Sequence, residues 1–93
     1  MEFEWDHNKS ERCFIERGFD FAYAVRVFFD PDRKIQKDNR YNYGETRYQL
    51  TGKIERRVFV IIYTLRNNAI RIISARKANK REVKDYENTT HDN

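Results

Sequence analysis

Arg47, Arg66, Arg71 and Arg76 fall on or at the ends of stretches that alternate like β-strands, with Tyr63 one strand away. Lys77, Lys80, Arg81 and Lys84 follow directly. An arginine's planar fork donates two parallel hydrogen bonds to a phosphate and stays charged at any physiological pH. A set of such donors suits an RNA backbone, and it also suits the extra negative charge that a phosphate gathers during transfer. From residue type and placement, Arg47, Arg71 and Arg76 are read as the groups that bind and stabilise the reacting phosphate. Arg66, Lys77, Lys80 and Arg81 are read as the groups that track the backbone. One geometric condition follows. Arg71 and Arg76 are five residues apart, so an unbroken strand puts them on opposite faces. They share a site only if the strand ends or bulges near Ser74-Ala75.

The charge distribution supports the same surface. Residues 47–84 hold eleven Lys/Arg against two Asp/Glu, whereas residues 1–46 hold eight against ten and residues 85–93 none against three. The formal net charge of +4 therefore conceals a strongly basic central stretch. Basic faces attract phosphate backbones or acidic partner segments. Other chemistries find little here. The chain has no phosphate-binding glycine loop, nucleophile elbow or paired-histidine zinc helix. Only His7 and His91 are present, too few for a two-histidine acid–base pair beside the arginines. His7 reads as a solvated first-turn residue. The single Cys13 excludes an internal disulfide and reads as a small core residue, and no group of ligands suggests a metal or any cofactor.

The elements that would position these residues are legible in outline. Phe3 to Trp5 suits a short strand, with Trp5 packed against the helix that follows. Asp6 reads as a helix N-cap and Gly18 as the stop. Asp20 caps a second helix in which Phe21, Ala24, Val25 and Phe28 recur at helical spacing, and Asp30-Pro31-Asp32 ends it. Lys34 to Lys37 suits an edge strand, and residues 38–44 a polar turn region. In Glu45 to Lys53, Tyr48 and Leu50 face one way while Arg47, Gln49, Thr51 and Lys53 face the other. Val58 to Leu65 is apolar on both faces, as expected of a central strand covered on both sides. Glu55-Arg56-Arg57 and Asn67-Asn68 supply the turns, and Ala69 to Ala75 the last strand. Asn79 and Glu82 have capping-box spacing before a short helix carrying Val83 and Tyr86, a structural use of Glu82 that competes with any catalytic one.

The order is helices first, then an antiparallel meander, then a helix, which argues for the α+β class. Ninety-three residues make one domain, placed at residues 1–87, with 88–93 as a disordered tail. The 15% aromatic content argues that this polar chain folds. Its longest apolar run, Val58 to Tyr63, is too short to span a bilayer, and a cytoplasmic location is expected.

The sequence also resembles a known family. Phe3-Glu4-Trp5-Asp6 with Lys9, Gly18-Phe19-Asp20-Phe21, Phe28-Phe29-Asp30-Pro31, Tyr43-Gly44-Glu45 with Arg47, and Tyr63-Thr64 carry the likeness. Its most specific part is Arg71-Ile72-Ile73-Ser74-Ala75-Arg76-Lys77-Ala78 with Arg81-Glu82. These features resemble the BrnT family of bacterial toxins over residues 2–87. The resemblance implies a RelE-like fold and a metal-independent endoribonuclease that uses basic residues and tyrosine, with the 2′-hydroxyl attacking the adjacent phosphate and Tyr63 positioning or exchanging a proton. It further implies a type II toxin–antitoxin pair in which a ribbon-helix-helix antitoxin neutralises the toxin. The complex would be a heterotetramer of two toxins and two antitoxins, touching operator DNA only through the antitoxin. The family usually reads Lys-His-Gly where this chain has Glu16-Arg17-Gly18. Arg17 retains phosphate binding but not a histidine's proton transfer. Two rivals stand beside the nuclease: an RNA-binding or antitoxin-binding module without cleavage, and a purely structural partner of a DNA-binding protein.

Overall fold

The computed structural model describes residues 1–40 and 44–91. Five strands form one sheet: β1 (Glu2–Trp5), β2 (Lys34–Asp38), β3 (Arg47–Ile54), β4 (Arg57–Arg66) and β5 (Ala69–Lys77). Their spatial order is β1-β5-β4-β3-β2. The meander of β2 to β5 is antiparallel, and β1 adds to β5 in parallel, with Glu4 beside Arg71 and Trp5 beside Ile72. Helix α1 (His7–Arg17), helix α2 (Phe21–Ala24) and a 3₁₀ segment (Val25–Phe29) precede the meander, and α3 (Lys80–His91) follows it. This is the expected α+β architecture.

The caps act as their residue types require. Asp6 accepts hydrogen bonds from the N–H groups of Asn8 and Lys9 at 2.8 and 3.2 Å, and Gly18 closes α1 at φ 84°. The Asp20 carboxylate accepts from the Tyr23 N–H at 2.9 Å. The second helix differs from the sequence expectation. After Ala24 the chain tightens into 3₁₀ geometry, and the fully buried residues are Phe21, Ala24 and Val27. They recur every three residues, as a helix of three residues per turn requires. Val25 and Phe28, expected on the buried stripe, pack only at its border.

These helices cover one face of the sheet. There Leu50, Ile54, Phe59, Ile61, Tyr63, Ile70, Ile72 and Ala75 form the core with Cys13, Phe19, Phe21, Ala24 and Val27. Gly52 on β3 allows the close approach, because a Cβ there would stand 2.9 Å from Val27 Cγ1. On the opposite face Val58, Val60 and Ile62 are buried as well. The two-sided burial expected of the central strand is therefore present, and α3 supplies the second cover. The Tyr86 hydroxyl donates to Asp30 Oδ2 at 2.5 Å, and the Lys53 N–H donates to the same oxygen at 2.7 Å. The Asp32 N–H fills Oδ1 at 2.9 Å. One buried carboxylate thus ties α3 to the end of the 3₁₀ segment and to β3.

Two further points bear on the sequence reading. Residues 88–91, expected as part of a disordered tail, continue α3, while Asp92 and Asn93 lie outside the described residues. Tyr43, one of the residues carrying the family likeness, also lies outside them. Among the described residues, no helix is long and apolar enough to cross a membrane.

Candidate nucleic-acid interface

The β4–β5 ladder settles the parity of the arginines. Tyr63 pairs with Ile72, but Ile62 pairs with Ser74, which leaves Ile73 as the extra residue of a bulge. Arg71 stands opposite Thr64, and Arg76 stands opposite Val60. Thr64 and Val60 are four apart on β4 and share a face, so Arg71 and Arg76 do too. Arg47 pairs with Thr64 from the other side. Across that row the order is Arg47, Thr64, Arg71 and Glu4. Arg66 prolongs the same β4 column beyond Thr64. Four of the arginines singled out in the sequence therefore lie on the face away from α1 and α2.

Each of the three central arginines holds a carboxylate. Arg47 Nε donates to Glu45 at 3.1 Å and Arg71 Nη1 donates to Glu4 at 2.8 Å. Arg76 grips both oxygens of Glu82 at 2.7 and 2.8 Å. Glu82 also completes the expected capping box, accepting from the Asn79 N–H at 2.9 Å while its own N–H donates to Asn79 Oδ1 at 2.8 Å. The Arg76 hydrogen bonds hold the Glu82 carboxyl below its ordinary pKa, and Glu82 raises that of Arg76 in return. Beside them Arg40 clasps Asp38 at 2.8 and 3.0 Å and lowers the Asp38 pKa. This Asp38–Arg40 pair was not visible in the sequence, where it fell in a polar turn region.

Tyr63 is set apart. It lies on the core face with 7% exposure, its ring stacked on Tyr48 at 5.3 Å and edge-on to Phe28 at 5.2 Å. Burial pushes its phenol pKa up, and Tyr48 adds to the shift. The proton-carrying role expected of Tyr63 at the arginines does not fit this placement, because the sheet itself stands between them. His7 is exposed at the start of α1, and Cys13 is buried with its thiol donating to the Ala75 carbonyl at 3.6 Å. Burial raises the Cys13 pKa.

The remaining basic residues divide between two places. Lys80 and Arg81 are exposed on the first turn of α3, adjoining Arg76 through the capping box. Arg17 and Lys77 lie on the other side of the sheet, in a cleft of about 460 Å³ that Phe14, Phe19, Tyr23, Arg57 and Phe59 also line. Arg17 Nη1 donates to the Ala75 carbonyl at 3.4 Å. Arg57, read in the sequence as part of a hairpin loop, joins this cleft as the first residue of β4.

Two N-terminal helices, a mostly antiparallel five-stranded sheet and a short C-terminal helix make an α+β fold of the RelE/BrnT-like kind. A family model described as the ribonuclease toxin, BrnT, of type II toxin–antitoxin systems matches residues 5–82, and the chain belongs to that family. Membership carries the general role of a nuclease toxin with an antitoxin partner and a nucleic-acid target. No curated protein matches the chain significantly.

Proposed function

We propose that this toxin is a metal-independent endoribonuclease, acting in the bacterial cytoplasm, whose arginine face holds the scissile phosphate. The observation that carries the reading is the alignment of Arg47, Arg71 and Arg76 on one face, which the bulge at Ile73 produces. In this reading the 2′-oxygen attacks the adjacent phosphorus and the bond to the 5′-oxygen breaks. The products are a 2′,3′-cyclic phosphate and a 5′-hydroxyl, the leaving 5′-oxygen taking its proton from solvent water. Arg47 and Arg71, flanking Thr64, stabilise the phosphorane-like charge, and Arg76 with Arg66 contacts the flanking backbone. Lys80 and Arg81 extend the track along α3.

With Tyr63 in the core, the proton acceptors beside these arginines are carboxylates. In this reading Glu4, half-exposed and bonded to Arg71, takes the 2′-hydroxyl proton once phosphate has drawn Arg71 toward itself. A ribbon-helix-helix antitoxin, in a complex of two toxins and two antitoxins, would silence the enzyme and reach operator DNA on its behalf.

The second reading is an RNA-binding module that does not cleave. It is favoured by the carboxylate already seated on each arginine, with which an incoming phosphate must compete. The two readings part on one experiment. Antitoxin-free protein is incubated with single-stranded RNA in excess chelator, and the fragment ends are analysed. Cyclic-phosphate ends support the nuclease, and salt-sensitive binding without fragments supports the module.

A further inference from the structure

The cleft on the opposite side of the sheet is assigned no part in the chemistry above, yet its electrostatics differ from those of the arginine face. Arg17, Arg57 and Lys77 line it with one acidic residue, Asp20. The Asp20 carboxylate is committed to the Tyr23 N–H at the start of α2. Among the described residues neither Arg57 nor Lys77 has a salt-bridge partner. Positive charge that the arginine face compensates internally is left open here.

The walls are aromatic. Phe19, Tyr23 and Phe59 pack ring against ring, tilted or edge to face, with centroids 5.1 to 6.2 Å apart, and form the floor. Phe14, on the last turns of α1, lines the same cleft with 58% of its surface exposed. An exposed aromatic ring beside uncompensated cations matches a base and its phosphate together, since any base stacks on a ring face while lysine and arginine take the backbone. The volume is that of a small-ligand site.

We infer that this cleft is a nucleotide subsite, in which Phe14 stacks on a base and Arg17, Arg57 and Lys77 hold its phosphate. The inference rests on the reading that RNA is the target, and it adds where the strand goes beyond the arginine face. Arg76 faces one side of β5 and the consecutive Lys77 the other. An RNA strand that rounds this end of the sheet meets both.

The test is an amide and arginine side-chain NMR titration of the ¹⁵N-labelled chain with adenosine 3′-monophosphate and, separately, with inorganic phosphate. Saturable shifts at Gly18, Phe19, Lys77 and the Arg57 side chain are expected with the nucleotide, with weaker binding of phosphate alone. The doubly substituted R57A/K77A chain, altered at two exposed positions, should bind the nucleotide about tenfold or more weakly, equivalent to about 1.4 kcal/mol. Phe14→Ala should weaken the nucleotide and leave inorganic phosphate unchanged.

Shifts confined to Arg47, Thr64 and Arg71, or no saturable shift at the cleft, would overturn the subsite. RNA cleavage by the same preparations separates this outcome from the fate of the nuclease reading. Cleavage with a silent cleft overturns the subsite alone, whereas a responsive cleft without cleavage overturns the nuclease and leaves the subsite standing.

Discussion

Arg76 and Glu82 form a two-point ion pair, at 2.7 and 2.8 Å, and the same carboxylate caps the start of α3 through the Asn79 N–H. Arg76 therefore has two duties, facing the proposed phosphate site and fastening α3. Replacing it with alanine should lower stability by about 1 kcal/mol, the upper end for a pair this exposed, and loosen α3. Arg76→Lys should not restore the fastening, because a point charge lacks the two-pronged geometry. Thermal melts of both variants check this. Loss of toxicity in Arg76→Ala alone thus does not isolate a phosphate contact, and Arg71 is the better probe.

The second fastening of α3 is the buried Asp30. Tyr86→Phe removes the hydroxyl donor to an ionised group and should cost about 1.5–3 kcal/mol. Urea denaturation measures it, and an unchanged midpoint would mean that α3 is held elsewhere.

Acid sensitivity should follow from the same pair of carboxylates. Burial opposes ionisation of Asp30, yet the hydrogen bonds from Tyr86, Lys53 and Asp32 hold its pKa below the ordinary value, and Arg76 does the same for Glu82. A depressed folded pKa contributes stability that is present above the unfolded value, about 3.9 for Asp and 4.3 for Glu, and lost as pH falls through the folded one. The melting temperature should therefore drop from about pH 4 downward. Asp30→Asn should be less stable at neutral pH and flatter below it. Tyr86 has the opposite sense. Burial and then Asp30 raise its pKa, so its contribution is complete below about pH 10 and is lost only as pH rises through the folded value.

Close approach gives a sharper structural test. A methyl group at position 52 would meet Val27 Cγ1 at 2.9 Å and Asp30 Oδ2 at 3.2 Å. Gly52→Ala should cost about 1–3 kcal/mol by overpacking, read as a lower denaturation midpoint.

The proton carriers can be separated by two variants. Glu4→Gln should lower the cleavage rate by about 10²-fold or more without weakening RNA binding, as loss of a general base does. Tyr63→Phe should leave cleavage essentially unchanged, because its hydroxyl lies on the core side of the sheet. Single-turnover kinetics on antitoxin-free protein distinguish the two.

Much of this architecture was legible in the residues. Alternation in β3 separated Arg47 from Tyr48, Asn67 and Asn68 announced a turn that the structure builds with both at positive φ, and Asn79 with Glu82 announced the cap. The spacing of Arg71 and Arg76 showed that a break near Ser74 was needed, and the bulge falls at Ile73, one residue away. What local pattern did not reveal was tertiary. The parallel pairing of β1 with β5 joins segments more than sixty residues apart, and it alone brings Glu4 to Arg71. The 3₁₀ segment packs on β3, with Val27 against Gly52, a tertiary contact that helical spacing does not show. Tyr63 stands one strand from the arginines in sequence order, but its parity on β4 turns it to the other face. Its register partner is Tyr48, already on the apolar side. Arg57 was missed because a residue ending a turn carries no mark of the cleft it will line.

The most direct test of the nuclease reading is cleavage of single-stranded RNA in excess chelator by antitoxin-free wild-type protein and by Arg71→Ala, with melting curves recorded for both. The expected result is fragments with 2′,3′-cyclic phosphate ends from the wild type, and a loss of about 10²-fold or more in a folded Arg71→Ala chain. A folded wild-type protein that yields no fragments, or an Arg71→Ala chain that cleaves at the same rate, would contradict it.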